Sequence, residues 1–260
     1  MRFQKLALAL TVSALAVLPL ASAPVHAAGK TAQARVAAVD PEAVAAAERM
    51  GAYLRTLQSF QITSTGKLEE ALDNGKKVST KVSTSYKVRR PDAFVVEMTT
   101  DKKSRRFVYD GRSFTVFAPK VGYFATVSAP ATIDETVGAI YDRYGIVLPL
   151  TDIFYWGTDA EPIDTVTSAK HVGVETVGGV KTDHYAFAGD TVGWDIWIQQ
   201  GDTPLPRKMI ITTLDSPLKP TYSASLYWMT GIAFAPEIFT FSPAADAKPI
   251  EMASVENAPQ

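Results

Sequence analysis

Arg89-Arg90-Pro91-Asp92-Ala93-Phe94 is the stretch on which the fold turns. Proline fixes its own φ and pushes the residue before it out of the helical region, so Arg90 is extended. In extended backbone Arg89 and Arg90 then point to opposite faces of a strand. Phe94, Val96 and Met98 continue downstream at every second position, and Val82, Thr84, Tyr86 and Val88 do the same upstream. A period of two on both sides marks a pair of antiparallel strands. Asp73-Asn74-Gly75 opens the first of them as a hairpin turn, because Asn and Gly tolerate positive φ.

The meander continues outward from that pair. Asp101-Lys102-Lys103-Ser104 is a turn, Phe107 and Tyr109 begin another strand, and Phe114 to Phe117 and Tyr123 to Val127 follow. Asp110-Gly111 sits between two of these strands and reads as a hairpin. In the other direction, Asp40-Pro41-Glu42 opens a helix with a capping carboxylate, a proline where no N–H is needed and an acid against the dipole. Val44, Ala47, Gly51, Leu54 and Leu57 form its apolar stripe, and the helix is expected to run to about Gln58.

Thr132-Ile133-Asp134-Glu135 is a capping box, and Ile133, Val137, Ile140 and Tyr144 give the stripe of a second helix that Gly145 stops. The next segment, Ile146 to Trp156, holds Leu148, Leu150, Ile153, Phe154, Tyr155 and Trp156. So apolar a connection is either buried or covers a hydrophobic opening. Strands resume after Pro162, with Gly178-Gly179 and Gly201-Asp202 as turns and with Tyr185, Phe187, Trp194, Ile196, Ile198 and Met209 on successive strands. Tyr222, Ala224, Leu226 and Trp228 lie on the face opposite Tyr227 and Met229, and Phe239-Thr240-Phe241 reads as two rings on one strand face.

The N-terminus carries Arg2 and Lys5, an apolar run from Leu6 to Leu20, and Val25-His26-Ala27 ahead of Ala28, the pattern of a cleaved secretory leader. Residues 1–27 are therefore expected to be a signal peptide and 28–39 a flexible arm. A single domain spans 40–243, and 244–260 is a disordered tail. The sequence holds no cysteine, so neither a lipidated cysteine nor a disulfide is available in an oxidising compartment. The formal charge of −1 gives no reason to expect nucleic acid. The apolar run of the leader is short for a stable membrane anchor.

Three motifs, Arg89-Arg90-Pro91-Asp92-Ala93-Phe94, Asp110-Gly111-Arg112-Ser113-Phe114-Thr115-Val116-Phe117-Ala118-Pro119 and Phe239-Thr240-Phe241-Ser242-Pro243, resemble in that order the periplasmic lipoprotein carriers of the LolA/LolB-like superfamily. The chain is also similar to a family of uncharacterised predicted periplasmic proteins, in which the helix followed by Leu148-Pro149-Leu150 recurs. The resemblance implies an α+β fold in which a curled, unclosed antiparallel β-barrel carries a helical lid over an apolar cavity. It maps the carriers' lid-holding arginine onto Arg90, whose guanidinium has five donors for lid carbonyls or a ligand head group. Taken without the resemblance, Arg89 and Arg90 are equally two solvated charges at a strand edge. The carriers have a second proline after the first in the last motif, where Ala244 stands here.

The expected ligand and lid residues are Arg90, Phe94, Val96, Met98, Leu148, Leu150, Ile153, Phe154 and Trp156. Alternation alone does not separate a ligand cavity from a filled core. Catalysis is not expected. His171 and His184 lie far apart with no cysteine and no His-Glu-x-x-His, so no zinc site is expected. Gly-x-Ser-x-Gly and Gly-x-Gly-x-x-Gly are both absent, and the adjacent Glu69 and Glu70 diverge on a strand. No cofactor is implied. The reading is of a periplasmic binder or carrier of lipids or of the acyl chains of lipoproteins, with a lipid or an acylated protein as its partner. The alternative is a sensor or regulatory module that binds a membrane or envelope partner protein.

Overall fold

The structure, a computed structural model, describes residues 39–148, 150–155, 158 and 166–255, and within them the side chains of Asp152 and Ile153 are left out. The expected leader, most of the arm, Trp156 and the last five residues lie outside the described residues. Helix α1 (Pro41–Thr56) begins where the sequence places it: the Asp40 carboxylate accepts the Glu42 amide at 2.9 Å. Its buried face is Ala43, Ala46, Ala47, Met50, Gly51 and Leu54. That stripe is rotated slightly from the expected one: Ala43, Ala46 and Met50 join the buried face, and Val44 packs at its edge, only partly buried.

Twelve strands follow: β1 (Ser59–Ala71), β2 (Lys77–Arg89), β3 (Ala93–Thr100), β4 (Ser104–Tyr109), β5 (Ser113–Ala118), β6 (Tyr123–Ser128), β7 (Ser168–Val177), β8 (Val180–Ala188), β9 (Val192–Gln199), β10 (Pro206–Thr213), β11 (Thr221–Thr230) and β12 (Lys248–Pro249). Helix α2 (Ile133–Tyr144) lies between β6 and β7, with Thr132 as its N-cap and Gly145 at φ 65° as its left-handed C-cap. The strand order is β12-β6-β5-β4-β3-β2-β1-β11-β10-β9-β8-β7. Strand β1 therefore joins two halves, paired with β2 on one side and β11 on the other.

The expected curled, unclosed barrel does not form. An unclosed barrel still needs a strongly curled sheet, whereas this α+β sheet is open and not strongly curled, ending at β12 and at β7. The edge of β7 is met by the Val39–Ala169 bridge and by the Asp40 amide, which donates to the Ala169 carbonyl at 2.9 Å, while Val172 and Val174 stay exposed. Nor does α2 arch as a lid over an open cavity: Val137, Ile140, Leu148 and Leu150 are buried in the main core with α1.

The two faces of the sheet differ. The inner face packs on α1 and α2 through Phe60, Ile62, Tyr86, Phe94, Val96, Phe107, Tyr185, Ile196, Met209, Leu226 and their neighbours. The outer face is covered only in part, where Phe239 packs on Ala93, Val95 and Val108. Phe239 belongs to a 3-10 turn (Pro236–Phe239) and not to the expected strand. Pro236 opens the turn, and Phe241 then reaches Phe117 and Phe124 at 5.5 and 5.1 Å between ring centroids. From Ala244, where an unpacked tail is expected, the described chain lays Lys248–Pro249 parallel to Tyr123–Phe124 and packs Met252 against the main core. The Asp110-Gly111 turn forms as read. Burial alone would raise the Asp110 carboxyl, but the amides of Ser113 and Arg112 and the Ser113 hydroxyl outweigh it and hold it below the ordinary aspartate value.

Candidate apolar binding site

Register decides what converges on the inner face. Phe60 stands opposite Val88, which stands opposite Phe94; one row along, Ile62, Tyr86 and Val96 align in the same way. These two rows form the floor of an apolar pocket of about 50 Å3, with Ile133 and Val137 of α2 on one side and Leu148, Leu150 and Phe154 across its top. A 3-10 turn (Thr151–Phe154) sets Phe154 onto Phe60, with ring centroids 5.5 Å apart, and Trp228 packs on the same Phe60 at 5.8 Å. Three interactions fix α2 beside this floor. The Ile133 amide donates to the Pro91 carbonyl at 2.8 Å, and the Tyr109 and Thr136 hydroxyls both donate to the Pro130 carbonyl.

Two charged residues line the site, Arg90 and Asp134, and the Asp134 carboxylate accepts the Tyr155 hydroxyl at 2.9 Å. Arg90 is the cationic one. Its backbone N–H donates to Gln58 at 2.8 Å, which keeps it in line with the sheet after β2 has ended. Its guanidinium lies 5.6 Å over the Phe154 ring, and its Nε is buried with no hydrogen-bond partner among the described residues. Arg89 points the other way, to Asp92 at 3.2 Å and over the Phe239 ring of the outer face. Burial pushes the Tyr222 hydroxyl up to about 12 against a Ser64 hydrogen bond, and burial raises Tyr86, which lines the pocket, well above its ordinary value.

Of the residues expected from sequence, Arg90, Phe94, Val96, Leu148, Leu150 and Phe154 line this pocket. Met98 lies farther along β3, half-buried and outside the lining. Ile153 is in the turn, with its side chain outside the description, and Trp156 lies outside the described residues. Phe60, Ile62, Tyr86, Val88, Ile133 and Val137 were not expected as site residues. The hairpin at Asp73-Asn74-Gly75 pairs Phe60 with Val88 and Ile62 with Tyr86, and the turn at Arg90-Pro91 pairs Val88 with Phe94 and Tyr86 with Val96, so turn geometry is the usable signal. No group of three or more His, Asp or Glu residues among the described residues is placed to hold a metal.

Similarity to solved structures is at the level of fold. The Pseudomonas aeruginosa MucA/MucB complex contains a chain 16% identical, with 80% of this chain and 63% of that chain covered and a TM-score of 0.44. This chain thus spans less than two thirds of that one. The Mycobacterium tuberculosis lipoprotein LppX is 10% identical over 75% of this chain and 98% of its own, with a TM-score of 0.39. A LolA superfamily protein of Nitrosomonas europaea is 12% identical over 76% and 97%, with a TM-score of 0.33. Comparison with curated proteins finds no match. The family described as "Predicted periplasmic protein (DUF2092)" matches residues 43–253, and the chain belongs to that family.

Proposed function

We propose that this periplasmic, non-catalytic protein binds lipids, or the acyl chains of lipoproteins, by burying them non-covalently beside Phe60, Phe94 and Val96. The observation that carries the reading is an apolar pocket with Arg90 at its wall, whose buried Nε has no hydrogen-bond partner among the described residues. Each CH2 buried is worth about 0.8 kcal/mol, so a few methylenes give useful affinity without a specific polar contact. At about 50 Å3 the pocket is smaller than the roughly 150 Å3 cavity that accepts a benzene ring. Loading therefore requires Leu148, Leu150 and Phe154 to move aside. Leu150 sits at φ 63°, a conformation that costs a bulky residue about 1–2 kcal/mol, so the plug is held away from its own backbone minimum.

Arg90 supplies the head-group end of this reading. A charge-assisted hydrogen bond contributes about 1.5–3 kcal/mol, so Arg90→Leu is expected to weaken binding of a long-chain fatty acid about tenfold or more. A neutral apolar dye should lose little, and Arg89→Leu on the outer face should change neither. Equilibrium titrations of both probes against the parent and the two variants check this: equal fatty-acid affinities in all three would remove Arg90 from the site. A partner-binding reading rests on the exposed β7 edge, with Val172 and Val174 free to meet an added strand. Failure of any acyl compound to displace the dye would favour that reading.

A further inference from the structure

On the sheet face away from the helices, the central strands carry an open concavity of about 540 Å3. Lys67, Lys81 and Lys208 line it together with the hydroxyls of Thr65, Ser83 and Ser225. Lys67 stands directly opposite Lys81 in the β1–β2 register, an arrangement of like charges that costs stability unless an anion relieves it. No Asp or Glu lines the concavity. The carboxylate two residues along β1, Glu69, is engaged by Lys77 at 2.8 Å and by Thr221. Lys208 is held with its ammonium 3.8 Å over the Trp197 ring. In a chain of formal charge −1, three cations with no carboxylate partner among the described residues are therefore gathered on one surface.

A second feature continues from the first. The outward alternation of β11 runs from Ser223 and Ser225 to Tyr227 and Met229, which are 54% and 59% exposed. Basic groups beside an exposed ring and a flexible apolar side chain are the chemistry of an interfacial membrane contact. We propose that this outer face docks the protein reversibly on an anionic membrane surface. Lipid phosphates seat among Lys67, Lys81 and Lys208, and Tyr227 and Met229 reach the headgroup boundary. The apolar pocket lies on the opposite face of the sheet, so docking and loading do not compete for the same surface. The docking site stands whether or not the pocket takes an acyl chain.

Sedimentation of the protein, as isolated from the periplasm, with phosphatidylglycerol-containing vesicles tests the proposal. Binding is expected to these vesicles and not to phosphatidylcholine alone, and to weaken as salt rises. A lysine near such a surface contributes enough that each Lys→Gln should weaken binding about fivefold and the triple variant about a hundredfold. Lys102→Gln with Lys103→Gln, in the β3–β4 turn, should leave binding unchanged. The proposal is overturned by equal binding to neutral vesicles, or by an equal loss in the Lys102/Lys103 variant. It is also overturned if inorganic pyrophosphate binds in a manner sensitive to the three lysines while vesicles do not, which would assign the concavity to a soluble anion.

Discussion

Phe60→Ala is expected to destabilise the protein by about 3–5 kcal/mol, the range for removing a buried aromatic ring from a packed core. Phe60 is 1% exposed and holds Phe154 and Trp228 together, so its loss removes one stack and one tilted ring contact at once. The same change merges the vacated volume with the existing pocket. Stability and capacity should therefore move in opposite directions: a lower urea midpoint, but tighter binding of an apolar dye and recovery of part of the midpoint when ligand is added. Phe114→Ala, in an equally buried ring that does not line the pocket, should lower the midpoint without tightening dye binding. If both variants gain dye affinity equally, the pocket has no privileged place in the core.

Gly66→Val is expected to be the most damaging change at a single glycine. A Cβ at this position would lie 1.9 Å from the Ser223 carbonyl oxygen, a backbone atom that no rotamer change can move away. Gly66 sits opposite Ala224 on one side and Val82 on the other, in the strand that joins the two halves of the sheet. Overpacking costs about 1–3 kcal/mol even where side chains can yield, so a loss of about 3 kcal/mol or more follows where they cannot. Gly66→Ala should already show most of it, since the first carbon makes the clash. Thr63→Ala, exposed on the outer face of the same strand, should stay within about 0.5 kcal/mol of the parent. A Gly66→Val protein with the parent's urea midpoint would mean that β1 and β11 do not approach so closely.

Local chemistry was legible in this sequence, and the long-range curl of the sheet was not. Both helices begin and end within a few residues of their capping signals, because Asp40, Thr132 and Gly145 act through their own neighbours. The hairpins at Asn74-Gly75, Gly178-Gly179 and Gly201-Asp202 are equally local. How strongly a sheet curls depends instead on strand twist summed over its strands, and alternation in one strand carries no record of it. The curled barrel came from resemblance and failed at that level. Phe239 misled for a related reason: two aromatic residues separated by one position look like a strand face, but Pro236 turns the chain into a 3-10 turn that places Phe239 on the outer core. The pocket residues read from sequence came from β3 and the segment after α2. Their partners on β1 and β2 emerge only when the hairpin register is counted out residue by residue.

The central claim is that an acyl chain lies between the floor of β1 to β3 and the segment carrying Leu150 and Phe154. An isotope-filtered NOE spectrum of the labelled protein with an unlabelled long-chain fatty acid reads that contact directly. The account predicts cross-peaks from the acyl methylenes to the methyl groups of Ile62, Val96 and Leu150 and to the rings of Phe60 and Phe94. Cross-peaks confined to exposed methyls such as those of Val172 and Val174, with none to Ile62, Val96 or Leu150, would contradict it.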